Sequence, residues 1–339
     1  MGLELLHRAL GAEFRQTEGG EIPWGYGELK AEVAAFYQGA ALLDFPETGL
    51  LQVGGMDCRD FIHNQCTSDV RGLPQGGFLK TLFLNSRGQI EFLGSVYQRG
   101  QTLWIAAART QALLERFNRY IVFDQVELSD LSQAYTQLRL QGPAALEVGG
   151  QLGQPPAKWS LVEHHEVVLA RDEWGLDILV PRDLAEEVFN QLLQAGATPA
   201  GRQAYRVWRV EQGVADLEDA LGELPQEVGL EARVSYKKGC YLGQEIMARL
   251  EARGNTRYQL MGLLGQQPLP PEAEVWREGK KVGRVTTATD SPRLGPVALA
   301  LLRKGLVPGD QVEVGAASPR SLRNPISATV SALPLLVPV

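Results

Sequence analysis

The feature that most constrains the fold of this chain is a change of texture near residue 256. From there on the sequence offers RYQLMGLLG, AEVWREGKKVGRVTTATDS, PVALALLRK and DQVEVG, short strand-like runs separated by Gly and Pro turns. Such spacing predicts a small β-barrel or sandwich, with GQQPLPPE (265–272) as one of its loops. Upstream, strand-like and helix-like runs alternate instead. GLLQVGG (49–55) reads as a strand and MDCRDFIHNQC (56–66) as a helix, with Asp57 as its N-cap and Phe61 and Ile62 on its inner face. Residues 78–108 read as three strands, with turns at Asn85-Ser86-Arg87-Gly88 and Arg99-Gly100. A helix follows, carrying Leu113, Leu114, Phe117 and Tyr120 at apolar spacing. Further on come a strand at 175–181 and helices at 183–196 and 202–213. The expectation is an α+β chain in three parts: an α/β subdomain over 1–140, a second over 141–255, and a β-barrel over 256–339.

A length of 339 residues suits two or three cores rather than one. No apolar run is long enough for a membrane span, and the N-terminus lacks a basic start followed by an apolar core, so a cytoplasmic protein is expected. With 33 basic against 40 acidic residues the net charge is −7, which argues against a surface built for nucleic acid. Direct tRNA binding would therefore need a local basic patch. Cys58, Cys66 and Cys240 are an odd set without a CxxC pair, which suits reduced thiols. Of the four histidines, His164 and His165 are neighbours that a strand would point to opposite faces, so no metal site is expected.

One segment concentrates chemistry: KKGCYLGQEIMAR, residues 237–249. Gln244–Arg253 is rich in helix formers, and Gly254 stands where a C-terminal cap belongs. Cys240 then lies in a glycine-flanked turn just ahead of a helix N-terminus. That terminus and the lysines Lys237 and Lys238 favour a thiolate. Gly239 and Gly243 would let backbone approach a ligand closely. Glu245 falls in the first helical turn, four residues before Arg249. Lys237, Lys238, Arg249, Arg253 and Arg257 together would make a basic seat for carboxylates or phosphates. Against this stands a plainer reading, a free cysteine packed under a turn with both lysines in water.

Lys238-Gly239-Cys240-Tyr241-x-Gly243-Gln244-Glu245 resembles the signature of the YgfZ-type folate-binding proteins, relatives of the glycine cleavage T-protein, an aminomethyltransferase. RVEQGVADLEDALGELPQE (209–227), QCTSDV (65–70) and VGRVTTATDSPRLGPVALALLRK (282–304) resemble further stretches of that group, so the likeness covers nearly the whole chain. The resemblance implies a T-protein-like ring of two α/β subdomains and a C-terminal β-barrel, the first subdomain binding folate, with tetrahydrofolate or a related reduced folate as cofactor. It implies a role in assembly or repair of iron–sulfur enzymes, including tRNA-modifying ones, with Cys240 as the functional thiol and Lys238 beside it. Glu211 falls where the group hydrogen-bonds the pterin, and Tyr205 where it packs an aromatic ring. Gly239, Tyr241, Gly243, Gln244, Glu245, Arg249 and Arg253 complete the expected folate site. One departure matters. T-proteins carry Asp-Asp after a G-G-x-[IL] segment, and here Phe92 and Leu93 occupy those positions. Glu91 comes one residue early, on the opposite face of a strand. Folate-dependent aminomethyl transfer is the alternative activity, and the missing acidic pair speaks against it.

Overall fold

The computed structural model describes residues 3–17, 19–254, 256–315 and 325–335. The chain divides into two compact units. One takes the chain up to Leu84, Phe92–Tyr205 and Lys237–Leu242; the other takes Asn85–Glu91, Arg206–Tyr236 and the chain from Gly243 on.

Two sheets build the first unit. The strands expected over 78–108 form as Phe78–Leu84, Ile90–Arg99 and Thr102–Ala108, and with Thr48–Gly54 and Glu127–Asp130 they make a five-stranded sheet. The second sheet has six strands, in the order Leu161–His164, Val167–Arg171, Gly175–Pro181, Tyr135–Gln141, Ala41–Asp44 and Thr198–Pro199. Ala41–Asp44 thus pairs with Tyr135–Gln141 across nearly a hundred residues of chain, so the sheets do not follow chain order. The alternation of each strand explains the layering. Leu50, Phe78, Tyr97 and Trp104 of one sheet meet Val168, Ala170 and Leu179 of the other. The outer face of the five-stranded sheet, with Leu51, Val53, Phe92 and Val96, is covered by Phe61 and Ile62 of helix Cys58–Gln65 and by Leu113 and Phe117 of helix Thr110–Tyr120. Helix Ala185–Gln194 covers the other sheet with Val188, Phe189 and Leu192.

Asp57 stands at the N-cap position but makes no cap bond. Its carboxylate instead accepts from the backbone N–H of Gln125 at 2.7 Å, tying the helix start to a loop that local sequence gives no means of locating.

The second unit is organised by a closed six-stranded barrel of Tyr258–Gly265, Gly295–Arg303, Lys280–Ser291, Glu274–Arg277, Gln311–Gly315 and Ile326–Ser331. Leu263, Val275, Val285, Ala300, Val314 and Val330 fill its interior. Residues 265–272 connect two of these strands, as expected. Among the described residues no helix is long and apolar enough to cross a membrane, and no group of three His, Cys, Asp or Glu side chains is placed to hold a metal ion.

Candidate functional site

The segment 237–242 belongs to the first unit, and its geometry is set by one buried lysine. Lys238 turns inward, and its ammonium donates to the carbonyls of His63, Cys66 (2.8 Å) and Ser68 (2.8 Å). The Tyr241 ring lies 5.0 Å away and is itself buried. Burial pushes the Lys238 ammonium down to about 8. It is therefore unavailable to the basic seat expected from the sequence and is not in water either: it is an anchor that fastens the loop onto the end of helix Cys58–Gln65. Lys237 and Arg249 are exposed, and the side chain of Arg253 lies outside the described residues. The Arg257 N–H donates to Glu227 at 3.0 Å.

Beside the anchor, Cys240 is an exposed free thiol, whereas Cys58 and Cys66 are buried. Burial is the first cause that raises both of those thiols. A Cβ added to Gly239 would sit 3.9 Å from His63 Nε2 and from an Arg71 guanidinium nitrogen. His63 is a neighbour of this loop that no local pattern singles out. Its Nδ1 accepts from the Arg71 N–H at 3.3 Å and its Nε2 is buried without a partner. Burial first, and then the charges of Lys238 and Arg71, hold it below the ordinary histidine range and so neutral. Asp69 accepts from the Gly72 N–H at 3.0 Å and so closes a turn.

From Gly243 onward the motif belongs to the second unit. Gly243 has φ +86°, a left-handed conformation that a side chain disfavours, and it starts the helix Gln244–Arg253. Gly254 closes that helix at φ +63°. Glu245 is exposed, and no ion pair joins it to Arg249 among the described residues.

Glu211 lies near the end of helix Arg202–Gln212 with no exposure to solvent. Its two oxygens accept from Ser291 Oγ at 2.5 Å and an Arg293 guanidinium nitrogen at 2.6 Å. The same helix is bolted to the barrel by Arg209, which donates to Asp219 at 2.8 Å; Asp219 in turn accepts from Thr286 (2.5 Å) and Thr287 (2.7 Å). Tyr205, in the first unit, is half-buried, edge-on to Phe45 at 5.3 Å. For a pterin the donor set at Glu211 is chemically apt. A carboxylate held in place by a hydroxyl and a guanidinium is the acceptor that adjacent ring N–H groups require.

Phe92 points into the apolar layer beneath helices Cys58–Gln65 and Thr110–Tyr120 and is 6 % exposed. Glu91 and Leu93 are both half-buried, on the alternate positions of the strand.

Comparison with known proteins agrees with this architecture. A solved aminomethyltransferase T of the glycine cleavage system from Bartonella henselae shares the fold, with a TM-score of 0.89 and 22 % identity, covering 99 % of this chain and 97 % of that one. The GCVT N-terminal domain matches residues 3–238 and the glycine cleavage T-protein C-terminal barrel domain matches residues 259–336. The chain belongs to the glycine cleavage T-protein family. Among its relatives, the aminomethyltransferase of Rubrobacter xylanophilus is 31 % identical over 85 % of this chain and 82 % of its own length. A chloroplastic protein of Arabidopsis thaliana, named as a candidate transferase, is 29 % identical over 89 % of this chain and 72 % of its own length.

Proposed function

We propose that this protein binds a reduced folate as its family does, but acts through Cys240 as an accessory factor for iron–sulfur enzymes, tRNA-modifying ones among them, and not by aminomethyl transfer. The observation that carries the reading is Phe92. Proton transfer at an amine needs an acid or base within hydrogen-bond reach, and an apolar ring packed under two helices supplies none. Leu93, beside it, supplies none either. What remains distinctive is an exposed thiol on a loop fixed by a buried ammonium. One thiolate does not hold a cluster alone, so contact with a client's cluster would be shared with that client's own ligands. Glu211 is the residue assigned to the pterin. Bound there, tetrahydrofolate would supply one-carbon chemistry at its ring nitrogens, while Ser291 and Arg293 orient the carboxylate.

A second reading is aminomethyl transfer itself, which the names of the relatives favour, with Glu91 as the acting carboxylate. The two are separated by turnover with lipoyl carrier protein, ammonia and methylenetetrahydrofolate. Background rates are expected, together with saturable tetrahydrofolate binding that weakens in Glu211→Ala and loss of client-enzyme activity in cells carrying Cys240→Ser. Turnover above background that falls in Glu91→Gln would replace the first reading with the second.

A further inference from the structure

Two segments of the first unit that lie side by side leave large apolar side chains in water. Phe123 is 95 % exposed, Met56 82 % and Val122 69 %, and Tyr120, at the end of helix Thr110–Tyr120, is exposed as well. The segments are tied to each other through Asp57 and Gln125. The Asp57 N–H donates to the Gln125 carbonyl at 3.2 Å, and the Asp57 carboxylate accepts from the Gln125 N–H at 2.7 Å. Gly55 lets them touch, since a Cβ there would stand 2.1 Å from the Gln125 carbonyl oxygen. On either side of the exposed pair, Ile121 and Val126 pack into the apolar layer that contains Phe61 and Phe117. Val122 and Phe123 are thus held out on a short span with both ends fixed.

Single apolar residues scattered on a surface need no explanation, but four of the ten large apolar side chains exposed among the described residues gather here. One such ring offers on the order of 150–250 Å². With Met56 and Val122 the patch reaches the few hundred Å² at which a monomer's surface marks an interaction site. Fixed before any partner arrives, it costs little to order on binding. Its border is acidic. Asp124 follows Phe123, and Glu127 pairs with Gly54, beside Gly55 and Met56. Both carboxylates are exposed, and neither joins an ion pair among the described residues. Asp60 is neutralised by Arg71 at 2.6 Å, Arg59 donates to the Val70 and Leu73 carbonyls, and Arg119 is the exposed cation at this edge. A nucleic acid or an anionic bilayer would meet the carboxylates, and a second copy would set Asp124 and Glu127 against themselves. From these features we infer that the patch is a docking surface for another protein, one that presents an apolar pocket for Phe123 bordered by lysine or arginine. Taking that partner to be an iron–sulfur client rests on the function proposed above; the surface itself does not.

The probe is β-cyclodextrin aminated on its rim, an apolar cup with a cationic edge, titrated calorimetrically into the full chain beside neutral β-cyclodextrin. The aminated cup should bind at least about tenfold more tightly than the neutral one, and Phe123→Ser should weaken it at least about tenfold. The urea midpoint of Phe123→Ser should stay that of wild type, because the ring is almost wholly in water. Equal binding of the two cups, or binding untouched by the substitution, would overturn the inference. So would a wild-type dimer in sedimentation that Phe123→Ser dissociates, since the occupant would then be a second copy. In cells, Phe123→Ser should lower client-enzyme activity as Cys240→Ser does. Activity kept in Phe123→Ser would overturn the client as occupant, whatever Cys240→Ser does. Activity lost in Phe123→Ser but kept in Cys240→Ser would sink the thiol reading and leave the surface standing.

Discussion

At the scale of single residues, Lys238 shows how context decides what a charge does. In sequence it stands next to a cysteine, and proximity alone suggests that it activates the thiol. Three carbonyls and the Tyr241 ring claim it instead. Its burial has a thermodynamic signature with a definite sign. The group titrates near 8 in the folded chain and near its ordinary 10.5 when unfolded, so between those values the unfolded state holds more protons. Its contribution to stability therefore rises with pH across that window and is flat below about 8. Urea denaturation of wild type and Lys238→Met should give a stability difference that grows in favour of wild type by about 2 kcal/mol from pH 8 to 10. An unchanging difference would mean that the carbonyl bonds offset the burial, leaving the ammonium charged throughout. Two residues on, Cys240 stands out in the sequence, but His63, which lies against Gly239, does not. The contact joins a turn to a helix end far away in the chain, and local pattern carries no trace of it.

At the scale of elements, local pattern carried far. The strands over 78–108 were readable because period-two alternation and glycine turns are local signals, and the Gln244–Arg253 helix because its formers and its closing glycine are. What could not be read was pairing at a distance, such as Ala41–Asp44 joining Tyr135–Gln141, or the Asp57 carboxylate turning to Gln125. The turn at Gly88 combines the two levels. Asn85 Oδ1 accepts from the N–H groups of Arg87 (2.9 Å) and Gln89 (3.0 Å), and Gly88 takes φ +75° to complete the reversal. A Cβ there would lie 2.9 Å from both Cβ and Cγ2 of Ile246 and from Cε of Met247, on the helix that follows the cysteine loop. Gly88→Ala should therefore cost about 2–4 kcal/mol, from left-handed strain and from crowding of that helix together. Chemical denaturation measures it. A loss under about 0.5 kcal/mol would show that the helix shifts aside freely.

At the scale of the whole molecule, each unit carries a buried ionic knot, and both knots join segments far apart in the chain. In the second unit it is Arg209 with Asp219 and the two barrel threonines. In the first it lies in the layer between the sheets, where Arg139 donates to Asp172 (2.8 Å) and Asp177 (2.6 Å) and Lys80, from the facing sheet, donates to Asp172 at 2.5 Å. Asp172 also accepts from the N–H groups of Trp174 and Gly175, so its bonding is complete on every side. Burial would raise both carboxyls, but Arg139 and Lys80 outweigh it at Asp172, as Arg209 does at Asp219, and each is held below the ordinary aspartate range. For such a depressed acid the sign is opposite to that of Lys238. The stabilisation is fully present above the unfolded value near 4 and is lost as pH falls below it toward the folded value. Asp172→Asn leaves Lys80 and Arg139 without their shared counter-charge, at a cost of about 3–5 kcal/mol near neutral pH. When denaturation is repeated at falling pH, that cost should hold steady from pH 6 to about pH 4.5 and shrink only below the unfolded value, by about 1 kcal/mol at about pH 3, because wild type there loses what the variant never had. A cost that stays constant over this range would mean that the packing of the two sheets, and not the charge of Asp172, holds the first unit together.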